Sequence, residues 1–382
     1  MKKLVFFGGT FDPPHNEHIA ELKAALSETG AEKAIVMPTF IPPHKETFHM
    51  ASAENRLGMT LEIGRASCRL AFGDISGVTV SDDELKAGGK SYSYITIDKL
   101  KEQYPDYEIL FLMGTDMLSS FGSWKNPHEI LKNATPLLCE RTGDREKKEQ
   151  TLKNFKKEFG KDAQAINYIG KELSSTEIKL KIMLGISAEG ELKNEVLSFI
   201  EENSVYPADK YFDFVRKNEK PKRVEHTLGV MLMAKEFAKR NGADVNKALL
   251  AALLHDCGKY LSVSDYRGCE VPEGTPEPVV HQYLGAYVAE KVLGVSDEEI
   301  IDAIRYHTTG KENMTLLGKI IFTADMLERG RTYEGVDELR KIAFENFEKG
   351  FEASLERSLE FVSQSGKPVC ELTKKAYNYY IK

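Results

Sequence analysis

Among its 382 residues the chain has one tryptophan, no CxxC pair, no surplus of basic residues and no long apolar run. Each shortage excludes something. The cysteines (Cys68, Cys139, Cys257, Cys269 and Cys370) are scattered and odd in number. That argues against a disulfide framework or a zinc ribbon and for reduced thiols in a cytosol. The formal net charge is −7 and neither half of the chain is basic. Nucleic acid is therefore not expected as the main ligand, and phosphate chemistry would rest on local cations or a metal. The densest apolar run, ALLAALL at 248–254, falls far short of the ~18 residues of a membrane span. The opening MKKLVFFGGT carries two lysines, but its apolar run ends at Phe7, too early for the core of a secretory signal. The expectation is a soluble, cytoplasmic protein with no membrane partner; composition sets no oligomeric state.

What is present falls into two parts, as a length of two domains at roughly 100–200 residues each would suggest. Through residue 185 short apolar strands alternate with helix-period segments. LVFF, AIVMPT, VTVSD, EILFLM and TPLLCE read as strands, and the first helical segment sets Ile19, Leu22 and Leu26 on one face. The alternation predicts βαβ units on a parallel sheet, an α/β Rossmann-like domain whose ligands bind at the carboxyl ends of the strands. From about residue 190 the patterns are helical: RVEHTLGVMLMAKEFAKR, NKALLAALLHD, HQYLGAYVAEKVLG, DEEIIDAIRYH, LLGKIIFTADMLERG and VDELRKIAFENFEKGFEASLERSLEFV. Breakers in NSVYPAD (203–209) put the boundary near Tyr206, separating 1–206 from an all-α bundle at 207–382.

The first strand runs directly into GGTFDPPHNEH (8–18). Gly8 and Gly9 let backbone N–H groups approach a phosphate closely. Pro13 and Pro14 fit a turn entering a helix. His15 and His18, three apart at a helix start, point the same way and add donors where the helix end already favours an anion. A Gly-rich turn with incidental histidines is the plain alternative, and the placement after the first strand weighs against it.

In the second part, LLHDCGKY (253–260) sets His255 beside Asp256 at the end of an apolar helix. Alone this is a helix-end pair. RVEH adds His226, HQYLGAY adds His281, AIRYHTTG adds His307, and IIFTADMLERGR carries Asp325 in an otherwise apolar helix. A lone carboxylate there is costly unless paired or metal-bound. Four histidines and two aspartates at interior positions of a helical bundle are what a metal site needs. Cys257 reads as a small core residue. Lys259, Arg305, Arg329 and Arg331 stand either to hold phosphates or as solvated surface cations.

GGTFDPPHNEH resembles the GGxFDPxHxGH signature of nicotinate-nucleotide adenylyltransferases. MPTFIPPHK (37–45), SYSYITIDKL (91–100), GTDMLSSFGSW (114–124) and SSTEIK (174–179) resemble further segments of that family, in order. The resemblance spans about 1–206 and implies AMP transfer from ATP, taken with Mg2+, to nicotinate mononucleotide. It implies phosphate contacts from His15, His18, Lys45 and Lys179. It implies nucleotide binding by Gly8, Gly9, Thr10, Phe11, Asp12, Tyr92, Gly114, Asp116, Trp124, Ser174, Ser175 and Thr176. Tyr92 and Trp124 would stack on the nicotinate ring, although a core tryptophan serves equally for Trp124. Three positions depart from the pattern: Glu17 for glycine, Lys179 for arginine and Ile95 for aspartate. Glu17 would add bulk and charge beside a polyphosphate, or else turn outward to Lys45 or Lys179.

The order H…HD…D, with KRVEHTLGV, LLHDCGKY, AIRYHTTG and TADMLERGRTYEGVDELRK, resembles the bacterial YqeK-type HD-domain family over about 207–382. That family hydrolyses diadenosine tetraphosphate symmetrically to two ADP. The resemblance implies a first metal held by His226, His255, Asp256 and Asp325, and a second by His281 and His307 with Asp256 bridging. Mixed imidazole and carboxylate ligands suit Fe, Mn or Co. An alternative makes the first domain a degenerate nucleotide sensor that regulates the hydrolase.

Overall fold

The computed structural model describes residues 1–39, 65–88, 90–140, 145–171, 173–364, 366 and 368–382. Short stretches aside, the chain divides into one compact unit through Pro207 and another from Ala208 to Lys382.

The first unit runs β1 (Lys2–Gly9), α1 (Asn16–Thr29), β2 (Lys33–Pro38), the helical residues 65–72 (α2), β3 (Val78–Val80), α3 (Asp83–Ala87), α4 (Ser93–Gln103), β4 (Tyr107–Gly114), α5 (Thr115–Ser119), α6 (Pro127–Asn133), β5 (Ala134–Glu140), α7 (Arg145–Phe159), β6 (Gln164–Ile169), α8 (Ser175–Leu184) and α9 (Asn194–Glu202). The strands form one parallel sheet in the order β3-β2-β1-β4-β5-β6. Both faces are covered. Val5 and Phe7 of β1 pack with Ile19 and Leu22 of α1, while Leu4 and Phe6 pack with Ile97 and Leu100 of α4. This two-sided burial is why β1 and β4 read as continuous apolar runs without alternation.

Strand order reverses between β1 and β4, and Phe6 pairs with Phe111 across them. The ends of these neighbouring strands, Gly9 and Gly114, therefore open on one crevice, where a doubly wound sheet binds its ligand. Topology thus brings GGTFDP and GTDML, about a hundred residues apart in sequence, to the same place.

The second unit is helical: α10 (Lys210–Asn218), α11 (Pro221–Asn241), α12 (Val245–Leu254), α13 (Val280–Tyr287), α14 (Glu298–Arg305), α15 (Leu316–Leu327), α16 (Val336–Glu345), α17 (Phe347–Gln364) and α18 (Glu371–Tyr380). α15 buries Leu317, Ile320, Ile321, Phe322, Ala324 and Leu327. A helix apolar nearly all round is buried within a bundle, so Asp325 is carried on an interior element.

Three features differ from the sequence reading. β6 was not expected: only Ile166 of QAINYI is buried on this edge strand, so its apolar signal is weak. The short helices α3, α10 and α18 also escaped notice. The segment VDELRK…SLEFV, read as one helical run, breaks at Asn346, which is extended (φ −149, ψ 105). Gly350 then lets α17 lie against α16, since a Cβ there would sit 2.3 Å from the Ala343 Cα.

Candidate functional site

At the crevice, β1 leads through Thr10–Pro14 into α1, and His15 caps that helix. The His18 N–H donates to His15 Nδ1 at 3.3 Å, and the His15 N–H donates to His18 Nδ1 at 3.2 Å. The rings stack at 3.5 Å, 15° from parallel. Because each Nδ1 accepts a backbone proton, each neutral ring carries its own proton on Nε2. The cap thereby fixes both tautomers as Nε2 donors, beside helix N–H groups that already favour an anion. Phe11 is buried against Phe7, Phe72 and His18 and takes a left-handed φ of 45°. Gly9 accommodates it: a Cβ at position 9 would lie 3.1 Å from the Phe11 ring.

Asp12 and Lys179 are brought together as an ion pair, and the Tyr206 hydroxyl donates to the second Asp12 oxygen at 2.7 Å. Lys179 is therefore tied to the loop that follows β1. Ser175 Oγ donates to the Pro13 carbonyl at 2.9 Å, and Ser174 Oγ accepts from the Glu177 N–H at 3.3 Å. Thr176 follows in the first turn of α8. The SSTEIK start thus caps its helix and props the FDP turn. Asp116, in the first turn of α5, is exposed and pairs with Lys147 at 3.0 Å. Tyr92 precedes α4 with Lys125 Nζ 4.4 Å from its ring centroid. Trp124 packs on Phe121 and Phe111 with centroids at 5.3 and 6.1 Å, the arrangement of a core-edge tryptophan. Lys45 lies outside the described residues.

Glu17 requires a correction. Its side chain is not turned outward to Lys179, which pairs with Asp12 instead. It is 5% exposed and accepts a hydrogen bond from Tyr168 of β6 at 2.6 Å. Burial first, and then Glu17, pushes the Tyr168 hydroxyl's pKa up, holding it as a donor. Tyr168 and Tyr206 were not singled out from sequence, because each meets its partner across more than 150 residues.

The second unit gathers all six predicted ligands. His226 comes from α11, His255 and Asp256 from the end of α12, His281 from α13, His307 from the end of α14 and Asp325 from α15. Asp256 Oδ2 lies 3.6 Å from His255 Nε2, whereas its Oδ1 lies 3.1 Å from His281 Nε2 and 3.5 Å from His307 Nε2. Its two oxygens thus address two groups: His226, His255 and Asp256, and Asp256, His281 and His307, each with donor atoms within 4.8 Å of one another. Asp325 Oδ1 stands 3.0 Å from His226 Nε2. His255 Nδ1 bonds the Ala252 carbonyl and His307 Nδ1 the Ile304 carbonyl, both at 2.7 Å. Those bonds place the proton on Nδ1 and aim the Nε2 lone pair inward, as metal-binding imidazoles require. His226 Nδ1 meets Glu328 at 3.1 Å, a carboxylate behind a histidine. The buried Nε2 atoms of His226 and His255 have no well-formed hydrogen bond. Imidazole nitrogens, carboxylates and supported rings gathered in this way suit a divalent ion.

The electrostatics agree at four of the ligands, while at His226 the Asp325 and Glu328 carboxylates outweigh burial and raise the ring. Burial pushes His255 down to about 3, keeping its ring neutral. Burial also lowers His281. Burial would raise Asp256, but His255, His281 and His307 outweigh it and hold the carboxyl well below the usual range. At Asp325 the same contest is won by His226 and Arg331.

Of the candidate phosphate cations, Lys259 Nζ lies 3.3 Å from His281 and Arg331 grips Asp325. Arg305 instead faces Glu290, and Arg329 is exposed. Arg223, one turn before His226 and not anticipated, donates to Asp256 Oδ2 at 2.7 Å. Its spacing to His226 was the available signal. Cys257 is buried with Sγ toward the Gly285 carbonyl, a packing role.

Residues 6–181 match the Cytidylyltransferase-like family, and residues 223–330 match the HD domain. A probable nicotinate-nucleotide adenylyltransferase/Ap4A hydrolase of Mycoplasma genitalium is 29% identical over 92% of this chain and 96% of its own. A symmetrical bis(5'-nucleosyl)-tetraphosphatase of Bacillus subtilis is 38% identical over 42% of this chain and 89% of its own. A probable nicotinate-nucleotide adenylyltransferase of Aquifex aeolicus is 36% identical over 45% of this chain and 99% of its own.

Proposed function

Since the chain belongs to the nicotinate-nucleotide adenylyltransferases through its first half and to the HD-domain symmetrical bis(5'-nucleosyl)-tetraphosphatases through its second, we propose that it carries both activities, on domains 1–206 and 207–382. Both families are enzymes.

In the first reaction a phosphate oxygen of nicotinate mononucleotide attacks the α-phosphorus of ATP. The bond to the β-phosphate breaks, leaving nicotinate adenine dinucleotide and pyrophosphate. The observation that carries this reading is the reciprocal cap that fixes His15 and His18 as Nε2 donors at the switch crevice. The two donors hold phosphate oxygens and stabilise charge that builds in the transition state. Gly8, Gly9 and the start of α1 supply backbone N–H groups. Lys179, tied to Asp12, keeps the loop shaped, and ATP enters with Mg2+. The sensor alternative rested on Glu17, whose carboxylate faces Tyr168.

In the second reaction water attacks an inner phosphorus of diadenosine tetraphosphate and ADP leaves, yielding a second ADP. The observation that carries it is the division of the Asp256 oxygens between two histidine groups. His226, His255, Asp256 and Asp325 would hold one ion of Fe, Mn or Co, and Asp256, His281 and His307 a second. When bound, such ions polarise a phosphate and activate water. Arg223 and Lys259 bring positive charge to the same cluster, where the polyphosphate must lie.

One assay panel on the purified chain tests both readings: ATP with nicotinate mononucleotide, and diadenosine tetraphosphate alone, each with Mg2+, Mn2+ and Fe2+. The expected products are pyrophosphate with the dinucleotide, and ADP alone. ATP plus AMP from the tetraphosphate would overturn symmetrical cleavage. No transfer with any metal would overturn the first activity.

A further inference from the structure

The Arg340 guanidinium, on α16, donates to three backbone carbonyls of one turn. Nε reaches Leu327 O at 2.9 Å, and Nη2 reaches Glu328 O and Arg331 O, both at 2.7 Å. Its Nη1 rests on Asp337 at 2.6 Å. These carbonyls belong to the end of α15 and the bend after it, which no regular element holds in place. The same turn carries the two side chains that support the His226 and Asp325 ligands. Glu328 accepts at His226 Nδ1, and its other oxygen takes the Gly330 N–H. Arg331 grips the Asp325 carboxylate and, through Nε, the Asp325 carbonyl at 2.9 Å. The turn is close-fitted, since a Cβ at Gly229 of α11 would lie 2.3 Å from Glu328 Oε2.

We infer that Arg340 is a positioning residue for the first metal group: by fixing the 327–331 turn it sets Glu328 behind His226 and Arg331 on Asp325. The inference rests on the metal reading above. None of the hydrogen bonds of Arg340 reaches His281 or His307, so its influence is confined to one of the two groups. A purely structural arginine would show no such selectivity. Partners behind metal-binding histidines typically change affinity 10–100-fold when lost, and Arg340 acts one step further out. A loss of about 10-fold is expected at the first group, with little change at the second.

The test is stepwise Mn2+ titration of the full metal-free chain by calorimetry. Asp325→Ala and His281→Ala identify the step that belongs to each group. Arg340→Met keeps the aliphatic stem and removes the donors. It should weaken the first-group step about 10-fold and leave the second within about 2-fold. Arg340→Lys, which restores some donors, should recover part of the loss and stands in if the methionine variant fails to fold. Combining Arg340→Met with Glu328→Gln should cost less than the sum of the two, because both act through His226. Unchanged affinity at both groups would overturn the inference, as would equal weakening of both with a lower melting temperature. A wild-type chain that binds no ion overturns the metal reading itself, a different result from an Arg340 variant that binds normally.

Discussion

Replacing Glu17 by glycine restores the motif residue at a position that departs from it, and the structure predicts loss without gain. The Glu17 carboxylate is buried and takes the Tyr168 hydroxyl at 2.6 Å. A hydrogen bond to a charged group contributes about 1.5–3 kcal/mol, and Tyr168 is half-exposed, so the lower end applies. An acidic residue in the first helical turn adds roughly 0.3–1 kcal/mol, and glycine inside a helix costs roughly 0.5–1 kcal/mol. Together Glu17→Gly should destabilise the first unit by about 2–3 kcal/mol. For a unit of this size that lowers its melting transition by roughly 4–10 °C. Turnover with ATP and nicotinate mononucleotide should not rise at a temperature where both proteins are folded. A carboxylate actually facing the polyphosphate would give the opposite, a gain of about 5–10-fold on its removal, since ~1 kcal/mol of repulsion would vanish. Scanning calorimetry with steady-state pyrophosphate release separates the cases. A five-fold rate increase with an unchanged transition would refute the argument from Tyr168.

Further expectations concern the second unit. Asp256→Ala removes the carboxylate shared by both groups; anaerobically purified protein should fall from one or two bound transition-metal ions per chain to none, and full retention by elemental analysis would sink the bridging role. Glu219, buried beside Thr227, is pushed up to about 8, chiefly by burial. Its protonated form is thus favoured by folding: that contribution is complete below about 4.5 and is lost as pH rises to about 8. In chelator, Glu219→Gln should melt increasingly above wild type as pH rises from 5 to 8, by several degrees at the upper end, and parallel melting curves would contradict the burial argument. Residues 207–382 expressed alone should be helical and hydrolyse diadenosine tetraphosphate; an unfolded fragment beside a stable full chain would move the boundary.

The fold and most residues of the candidate sites were legible because their signals are local. Two-sided burial makes β1 and β4 continuous apolar runs, and the glycines at their ends mark the crevice. The histidines at 15 and 18 stand out by their spacing at a helix start directly after the first strand, and Asp325 by being a carboxylate inside an apolar helix. What escaped lies at long range. Arg340 and Glu328 support ligands through a turn whose course follows from packing. The Asp12–Lys179 pair spans 167 residues, and nothing in SSTEIK says its lysine folds back on the FDP turn. Glu17 is the sharpest instance. Read within its motif, a carboxylate between two histidines expected to hold phosphate looks like damage. Its direction is set by the helix, which sends the second residue of α1 toward Tyr168 of β6, while His15 at the N-cap and His18 stack on each other. β6 left too little apolar pattern to be foreseen, with Ile166 its only buried residue, so Tyr168 had no place in the reading. Whether a substitution inside a binding motif harms the site depends on the element its side chain faces, and here that element lies 151 residues away.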